Sequence, residues 1–157
     1  MRSICLILLT IFITPQAFAL ECDLEKSFAI SASAIKLQNE RIKIASENLA
    51  NEGTTGELPG SDPYKRKKLF AENRYDKKLK AKLVKTKRIR SDRNPKFKVA
   101  YDPSHIAADE NGYVKYPDVN KEIELGDVDE ARRSQNASLA MIGVTKKMIT
   151  DTLEIMK

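Results

Sequence analysis

The sequence contains no tryptophan, one histidine and two cysteines in 157 residues. Several acids lie near His105, but their spacing matches neither zinc ligation nor the calcium-loop pattern. No serine nucleophile elbow, phosphate-binding glycine loop or H-E-x-x-H pair occurs. The sequence therefore predicts neither an enzyme nor a resident cofactor or metal ion.

The cysteines are too few for a disulfide framework. Cys5 lies inside an apolar N-terminal run, which leaves Cys22 as the only thiol of a processed chain. A single cysteine cannot form an internal disulfide. We expect Cys22 to be a free thiol or to form an intermolecular bridge, because Glu21 before it is unlike a lipoprotein signal.

Aromatic residues make up only 6% of the chain, whereas charged residues make up 32% and hydrophobic residues 41%. This composition indicates one modest folded domain with a thin core, and it argues against a large enzymatic cleft.

The N-terminus has the pattern of a secretory signal peptide. Arg2 precedes an apolar run over residues 4–13, Pro15 follows it, and residues 17–19 read Ala-Phe-Ala. The apolar run is far shorter than the roughly 20 residues that span a bilayer. We expect residues 1–19 to be removed, with no stable membrane insertion afterwards and a mature chain that starts at Leu20.

Two long helices are predicted, one from about Asp23 and one from about Asn120. Each carries apolar residues in a seven-residue pattern, which is typical of helices that pack along a narrow stripe. The two apolar stripes comprise Phe28, Ile35, Ile42 and Leu49 in the first helix, and Leu139, Ile142, Ile149 and Leu153 in the second. In the second helix, Gly126 is a weak point, and Asp127 with Glu130 has the pattern of a capping box. The sequence is therefore compatible with one continuous helix or with a helix that begins again at Asp127.

Residues 45–56, ASENLANEGTTG, are predicted to end the first helix. Their asparagines, threonines and glycines compete for backbone hydrogen bonds or admit positive φ. The chain therefore divides into a first helix with its hinge (20–56), a middle segment (57–119) and a second helix (120–157).

The middle segment contains a strongly basic stretch. Residues 65–98 carry sixteen Lys or Arg and three acids, a net charge of +13, while the rest of the chain has a net charge of −7. Short strands are predicted over 68–73, 83–90 and 97–101, with Asn111-Gly112 as a hairpin turn before a last strand at 114–116.

The basic stretch has two interpretations. It is either a solvated hairpin or a surface for a polyanion such as a glycan or acidic lipid. Nucleic acid is not an expected partner of an exported protein. The possible polyanion contacts are Lys65, Arg66, Lys67, Lys68, Lys85, Lys87, Arg88 and Arg90.

The end of the first helix, residues 45–56, resembles the signature of bacterial flagellar rod and hook proteins. Three further motifs, in order along the chain, resemble those of the flagellar basal-body rod proteins of the proximal FlgC type. They lie at 63–66 (PYKR), at 97–103 (FKVAYDP) and at 112–120 (GYVKYPDVN), and the resemblance covers about 31–156. The motif residues are Asn48, Leu49, Ala50, Asn51, Tyr101, Asp102, Pro103, Gly112, Tyr113, Tyr116 and Pro117.

The resemblance implies a structural rod subunit without catalysis or cofactor. Its partners would be copies of itself, other rod subunits and, during export, the flagellar export apparatus. The implied fold is mainly α with a small β region, in which the terminal helices pack as an antiparallel coiled coil around a hairpin-rich middle. The eight stripe residues would carry subunit packing in a periplasmic basal body.

Two features differ from the family pattern. Rod subunits are expected to use the flagellar type III export apparatus, whereas this chain begins with a secretory signal. Residues 71–95 are also more basic than expected. The alternative function is therefore an exported envelope protein with a rod-like scaffold that binds polyanions through residues 65–98.

Overall fold

The fold is described by a computed structural model that covers residues 14–155, and for residues 14–22 it describes the backbone alone. Cys5, the side chain of Cys22 and most of the predicted signal peptide therefore lie outside the described part. In chain order the elements are α1 (Thr14–Ala50), β1 (Lys67–Asp76), β2 (Ala81–Ser91), β3 (Lys98–Tyr101), β4 (Tyr113–Tyr116) and α2 (Lys121–Ile155). The prediction of a mainly α fold with small β hairpins is confirmed.

Helix α1 begins earlier than the sequence pattern predicts. We expected a start near Asp23, but the helix has 37 residues and begins at Thr14, so the predicted cleavage point between Ala19 and Leu20 lies inside it. Pro15 is its second residue, and a proline in the first turn removes an N–H group that has no partner within the helix anyway. Pro15, which the sequence pattern placed at the end of the apolar run, therefore lies in the first turn of α1.

Helix α1 ends at Ala50, inside the stretch predicted to break it. The side-chain amide of Asn51 donates to the carbonyl oxygen of Glu47 at 2.7 Å and caps the last turn. Helix α2 starts after Asn120, whose side-chain oxygen accepts the N–H of Ile123 at 3.1 Å. It continues without a break through Gly126, so the restart considered for that position does not occur.

The two helices contact each other along their length and run in opposite directions. Residue numbers rise along α1 while those of their partners fall along α2. Three side-chain hydrogen bonds join the helices: Ser27 with Thr145 at 3.2 Å, Asn39 with Gln135 at 2.7 Å, and Asn48 with Glu124 at 3.1 Å.

The core between the helices and the hairpins is thin, as the composition predicts. The buried apolar residues of the two helices are Leu37, Ile44, Ala45, Val128 and Ala131. Four polar residues of the helices are buried among them: Ser31, Asn48, Glu124 and Thr145. Because buried polar groups must be hydrogen-bonded, the helix pair depends on specific partners as well as on apolar contact.

Strands β1 and β2 form a long antiparallel hairpin that pairs Lys67 with Ser91 at its base and Asp76 with Ala81 at its turn. A register shift between Phe70 and Ala71 bends it. In the turn, the Asp76 carboxylate accepts two backbone N–H groups, of Leu79 and Lys78, which lower its pKa. The predicted strands at 68–73 and 83–90 lie within this hairpin.

The hairpin lies along α1, with its base near the C-terminal end of the helix. Near the base, Lys67 forms an ion pair with Glu47. Further along, the N–H of Val84 donates to the Ser33 hydroxyl at 3.3 Å. The direction of the hairpin is therefore from the end of α1 back toward its beginning.

Strands β3 and β4 form a second, short hairpin at the end of the helix pair where α1 stops and α2 starts. Asn111-Gly112 does not form the predicted two-residue connection, because β3 and β4 are joined by residues 102–112. Gly112 instead ends a turn from Asp109 with φ +80°, and an added Cβ would lie 2.9 Å from a ring carbon of Tyr101. Only glycine fits this position without strain.

Candidate functional site

The side chain of Asn48 is the centre of a buried cluster that joins four parts of the chain. Its amide nitrogen donates to the carbonyl oxygen of Lys67 at 2.9 Å and to Glu124 at 3.1 Å. Its oxygen accepts the N–H of Lys67 and the hydroxyl of Tyr64, each at 2.9 Å. Both donors and both acceptor positions of the side chain are therefore used.

The backbone groups of Lys67 also determine which way this amide points. A backbone N–H can only donate and a carbonyl can only accept, so the oxygen of Asn48 must face the first and its nitrogen the second. Asn48 is 1% exposed. It therefore connects α1, the segment before β1, β1 itself and α2 through bonds that no water replaces.

A buried ion pair completes the cluster. Glu124 is 1% exposed, and its carboxylate accepts the Nε–H of Arg66 at 2.5 Å in addition to the amide of Asn48. Arg66 also lies 3.9 Å from Asp127, which lies 4.0 Å from Arg41. We call Asn48, Tyr64, Arg66, Lys67 and Glu124 the polar junction.

Tyr64 has its pKa raised to about 12, chiefly by burial and further by the negative charges of Glu47 and Glu124. All three effects favour the neutral phenol, which is the form that donates to Asn48. The polar junction is therefore built for a protonated tyrosine.

Stability is expected to fall as the pH rises from 10 to about 12. In that window the unfolded chain, with an ordinary pKa of 10.0, loses the Tyr64 proton that the folded chain still holds. Measurement of Tm against pH for the wild type and Tyr64→Phe should show a steeper decline for the wild type. Parallel curves would contradict the role of the hydroxyl in the polar junction.

The other motif residues lie near this end of the molecule but outside the polar junction. Leu49 is half-buried and Ala50 is exposed, while Asn51 caps α1. In the β3–β4 hairpin, the Tyr101 and Tyr113 rings pack edge to face with centroids 5.3 Å apart. The remaining motif residues lie in or beside the same hairpin: Pro103 is exposed, Gly112 and Pro117 are buried, and Asp102 and Tyr116 are half-buried. A hydrogen bond from the Ser104 hydroxyl is the main cause that lowers the pKa of Asp102.

The residues of the two apolar stripes are only partly covered by the described part of the chain. Four are half-buried: Ile35, Ile42, Leu49 and Ile142. Four are exposed by 41–57%: Phe28, Leu139, Ile149 and Leu153. One subunit therefore leaves apolar area along both helices.

Sequence reasoning missed a further apolar face on α2. Met141, Val144 and Met148 are about half exposed and Ile155 is 86% exposed. Their spacing of three, four and seven residues puts them on one side of the helix. This spacing is visible in the sequence, but the four residues lie next to the apolar stripe of α2 and were not distinguished from it.

Sequence reasoning also missed the polar junction, although it named Asn48 as a motif residue and Arg66 and Lys67 as possible polyanion contacts. Glu124 lies four residues before buried Val128 on the same helix face, and a charged residue at such a position signals a buried partner. The sequence alone does not identify that partner, because Arg66 lies 58 residues away in a predicted loop.

Most of the eight cations considered for polyanion binding interact with other residues of the chain. Five form ion pairs: Lys65 with Asp62, Arg66 with Glu124, Lys67 with Glu47, Lys68 with Asp92, and Lys87 with Glu72. Arg88 lies 4.9 Å from the centre of the Phe70 ring. Lys85, Arg88 and Arg90 form no ion pair with residues 23–155. Arg66 in particular is part of the polar junction.

Catalytic or metal-binding geometry is not apparent in residues 14–155. Among the described residues no three His, Cys, Asp or Glu side chains are grouped as metal ligands. No described helix has the length and apolar character needed to cross a membrane. A depression of about 290 Å³ beside the polar junction is lined by Arg41, Arg66 and Asp127, whose charges already interact with one another.

Comparison with known proteins gives consistent relatives. A protein of Agrobacterium fabrum is 41% identical over 128 residues, which cover 82% of this chain and 91% of that protein. Relatives from Salmonella typhimurium and Bacillus subtilis are 32% and 31% identical, and the matches cover 94% and 97% of their lengths. All three are described as "Flagellar basal-body rod protein FlgC". No protein-family model matches the chain.

Proposed function

The chain belongs to the flagellar basal-body rod protein FlgC family, and from this premise we propose that it is a structural subunit of the proximal part of the flagellar rod. The observation that carries the proposal is 41% identity over 91% of the Agrobacterium protein. Its function is structural and not enzymatic, and its place is the flagellar basal body.

We propose that the eight stripe residues pack against other subunits as well as between the two helices. What supports this is their partial exposure, together with the second exposed face formed by Met141, Val144, Met148 and Ile155. A small chain with long, incompletely covered apolar faces gains stability when copies stack. Repeated head-to-tail contacts of this kind build an open filament such as a rod.

We also propose that α1 and α2 form an antiparallel coiled coil. The supporting observations are the seven-residue spacing of the stripes and the three hydrogen bonds that connect the helices in opposite directions. Supercoiling keeps a seven-residue stripe in register with a partner helix over many turns. Copies of the chain and other rod subunits are the proposed partners, with the export apparatus as a transient one.

The proposed segments are residues 20–56 and 120–157 as the rod helices and 57–119 as the subunit-specific middle. We further propose that residues 1–19 are a signal peptide that directs the chain to the periplasm. Support for that part comes from the N-terminal sequence pattern alone.

Isolation of basal bodies from the source bacterium tests the proposal. We expect the wild-type chain in the rod fraction with an intact mass that starts at Leu20, and we expect Ile42→Asp with Ile142→Asp to remove it from the rod and abolish motility. The control Asn136→Asp adds one negative charge at an exposed position of α2.

Three results would count against parts of the proposal. Absence of the wild-type chain from basal bodies would refute the function. Normal assembly of the double aspartate variant would refute the packing surface. An intact mass that includes residue 1 would refute the signal peptide.

A further inference from the structure

The charges of the chain are concentrated in two segments of opposite sign. Residues 65–98 have a net charge of +13, and residues 102–130 contain nine acids and two lysines, a net charge of −7. The rest of the chain is neutral overall. Such a separation within one small protein creates oppositely charged surfaces if the two segments do not neutralise each other in the fold.

The basic segment leaves its cations unpaired near the turn of the long hairpin. We call residues 67–91, the β1–β2 hairpin, the basic arm. All six cations at positions 74–85, around the turn, are exposed and form no ion pair within 4.0 Å with residues 23–155: Arg74, Lys77, Lys78, Lys80, Lys82 and Lys85. Nearer the base, Arg88 and Arg90 are also exposed and form none. The ion pairs that the arm does form involve Lys67, Lys68 and Lys87.

The acidic segment also keeps most of its charge exposed. Three of its acids, Glu124, Asp127 and Glu130, are paired with Arg66 or Arg41. Four others are exposed and form no ion pair with residues 23–155: Glu110, Asp118, Glu122 and Asp129. These four lie around β4 and on the first turns of α2, and we call this surface the acidic end.

The six unpaired cations around the turn of the arm lie far along α1 from the acidic end of their own copy. Val84, close to the arm's turn, bonds to Ser33, whereas the first turn of α2 bonds to Asn48. These two positions on α1 are fifteen residues apart, which is about 22 Å at about 1.5 Å per residue. That separation exceeds the Debye length of about 10 Å at 0.1 M salt, so the two charges are screened from each other within one copy.

We propose that the basic arm of one copy binds the acidic end of a second copy of this chain. The proposal rests on the rod function, and it adds the surface that orients one subunit relative to the next. The two surfaces differ, so in the rod proposed above each copy offers its arm to one neighbour and its acidic end to the other. Contacts of this kind extend in one direction when the rotation between copies does not close a ring.

A second copy explains both charged surfaces, whereas a glycan or lipid would account for the arm alone. The acidic end of the same molecule would be repelled by an anionic polymer or membrane. Between copies, each arm meets a surface of opposite charge, and the exposed charges of the two segments neutralise each other.

Charge reversal on the full chain tests this contact by sedimentation velocity. The arm variant carries Lys77→Glu, Lys78→Glu and Lys82→Glu, and the end variant carries Asp118→Lys, Glu122→Lys and Asp129→Lys. Lysine-to-arginine changes at the three arm positions serve as the matched control. We expect wild-type self-association to weaken at least about tenfold between about 0.1 M and about 0.5 M salt.

Each charge-reversed variant alone should associate at least about tenfold more weakly than the wild type at about 0.1 M salt. An equimolar mixture should regain association, because each reversed arm then meets an end of opposite charge. The arginine control should behave as the wild type. Circular dichroism shows whether each variant retains its helices. Self-association is compared only among variants whose helicity equals that of the wild type.

Two outcomes would overturn the proposal. One is wild-type association of either variant, or a mixture that stays monomeric. The other is binding of inorganic polyphosphate or phosphatidylglycerol vesicles by the wild type and the end variant without any self-association. The rod function itself would survive both outcomes as long as the wild-type chain is recovered in basal bodies.

Discussion

Asn48→Ala is expected to lower the free energy of unfolding by about 3–5 kcal/mol, because it removes four buried hydrogen bonds at once. The N–H and carbonyl of Lys67, the Tyr64 hydroxyl and one oxygen of Glu124 would all lose a partner in a space that excludes water. Urea unfolding followed by circular dichroism measures the loss.

Two substitutions serve as comparisons. Asn51→Ala removes one hydrogen bond at the end of α1 and should lower the free energy of unfolding by about 1 kcal/mol. Asn48→Asp keeps an acceptor for Lys67 and Tyr64 but places a carboxylate beside Glu124, so it should not restore stability. A loss for Asn48→Ala no larger than that for Asn51→Ala would contradict the central role of Asn48.

Arg66→Met is expected to lower the free energy of unfolding by about 3–5 kcal/mol, because it leaves the buried carboxylate of Glu124 without its cation. The double variant Arg66→Met with Glu124→Leu should lose less than the sum of the two single variants, since no buried charge remains. A double-mutant cycle in urea measures this coupling.

The exposed ion pair of Lys68 with Asp92 provides the control. Its atoms are 2.8 Å apart, but both side chains are over a third exposed and screened by solvent, so Lys68→Met should change stability far less than Arg66→Met. Equal losses for Arg66→Met and Lys68→Met, or strictly additive effects of Arg66→Met and Glu124→Leu, would show that the buried pair is not coupled.

Both predictions concern the place where the two long helices meet the middle segment. The polar junction joins the end of α1, the start of β1 and the first turn of α2. Loss of its bonds is expected to release the hairpins from the helix pair while leaving the apolar stripes intact.

Local sequence patterns predicted the elements well where the signal is periodic. The seven-residue repeats indicated two long helices, and alternation indicated the strands that pair in the hairpins. The start of α1 was wrong, since a proline can begin a helix as well as precede one. The Asn111-Gly112 connection was wrong because Gly112 ends a turn inside a longer loop.

By itself the sequence determined the helical repeats, the separation of charge and the motifs that resemble those of the FlgC family, because each of these is a property of neighbouring residues. Only the tertiary structure decided that Asn48 is a four-bonded buried amide and that Arg66 is paired with Glu124. Those bonds join residues 16, 19, 58 and 76 positions apart. A side chain acquires such partners only when the helices and hairpin have packed, and no local pattern specifies them.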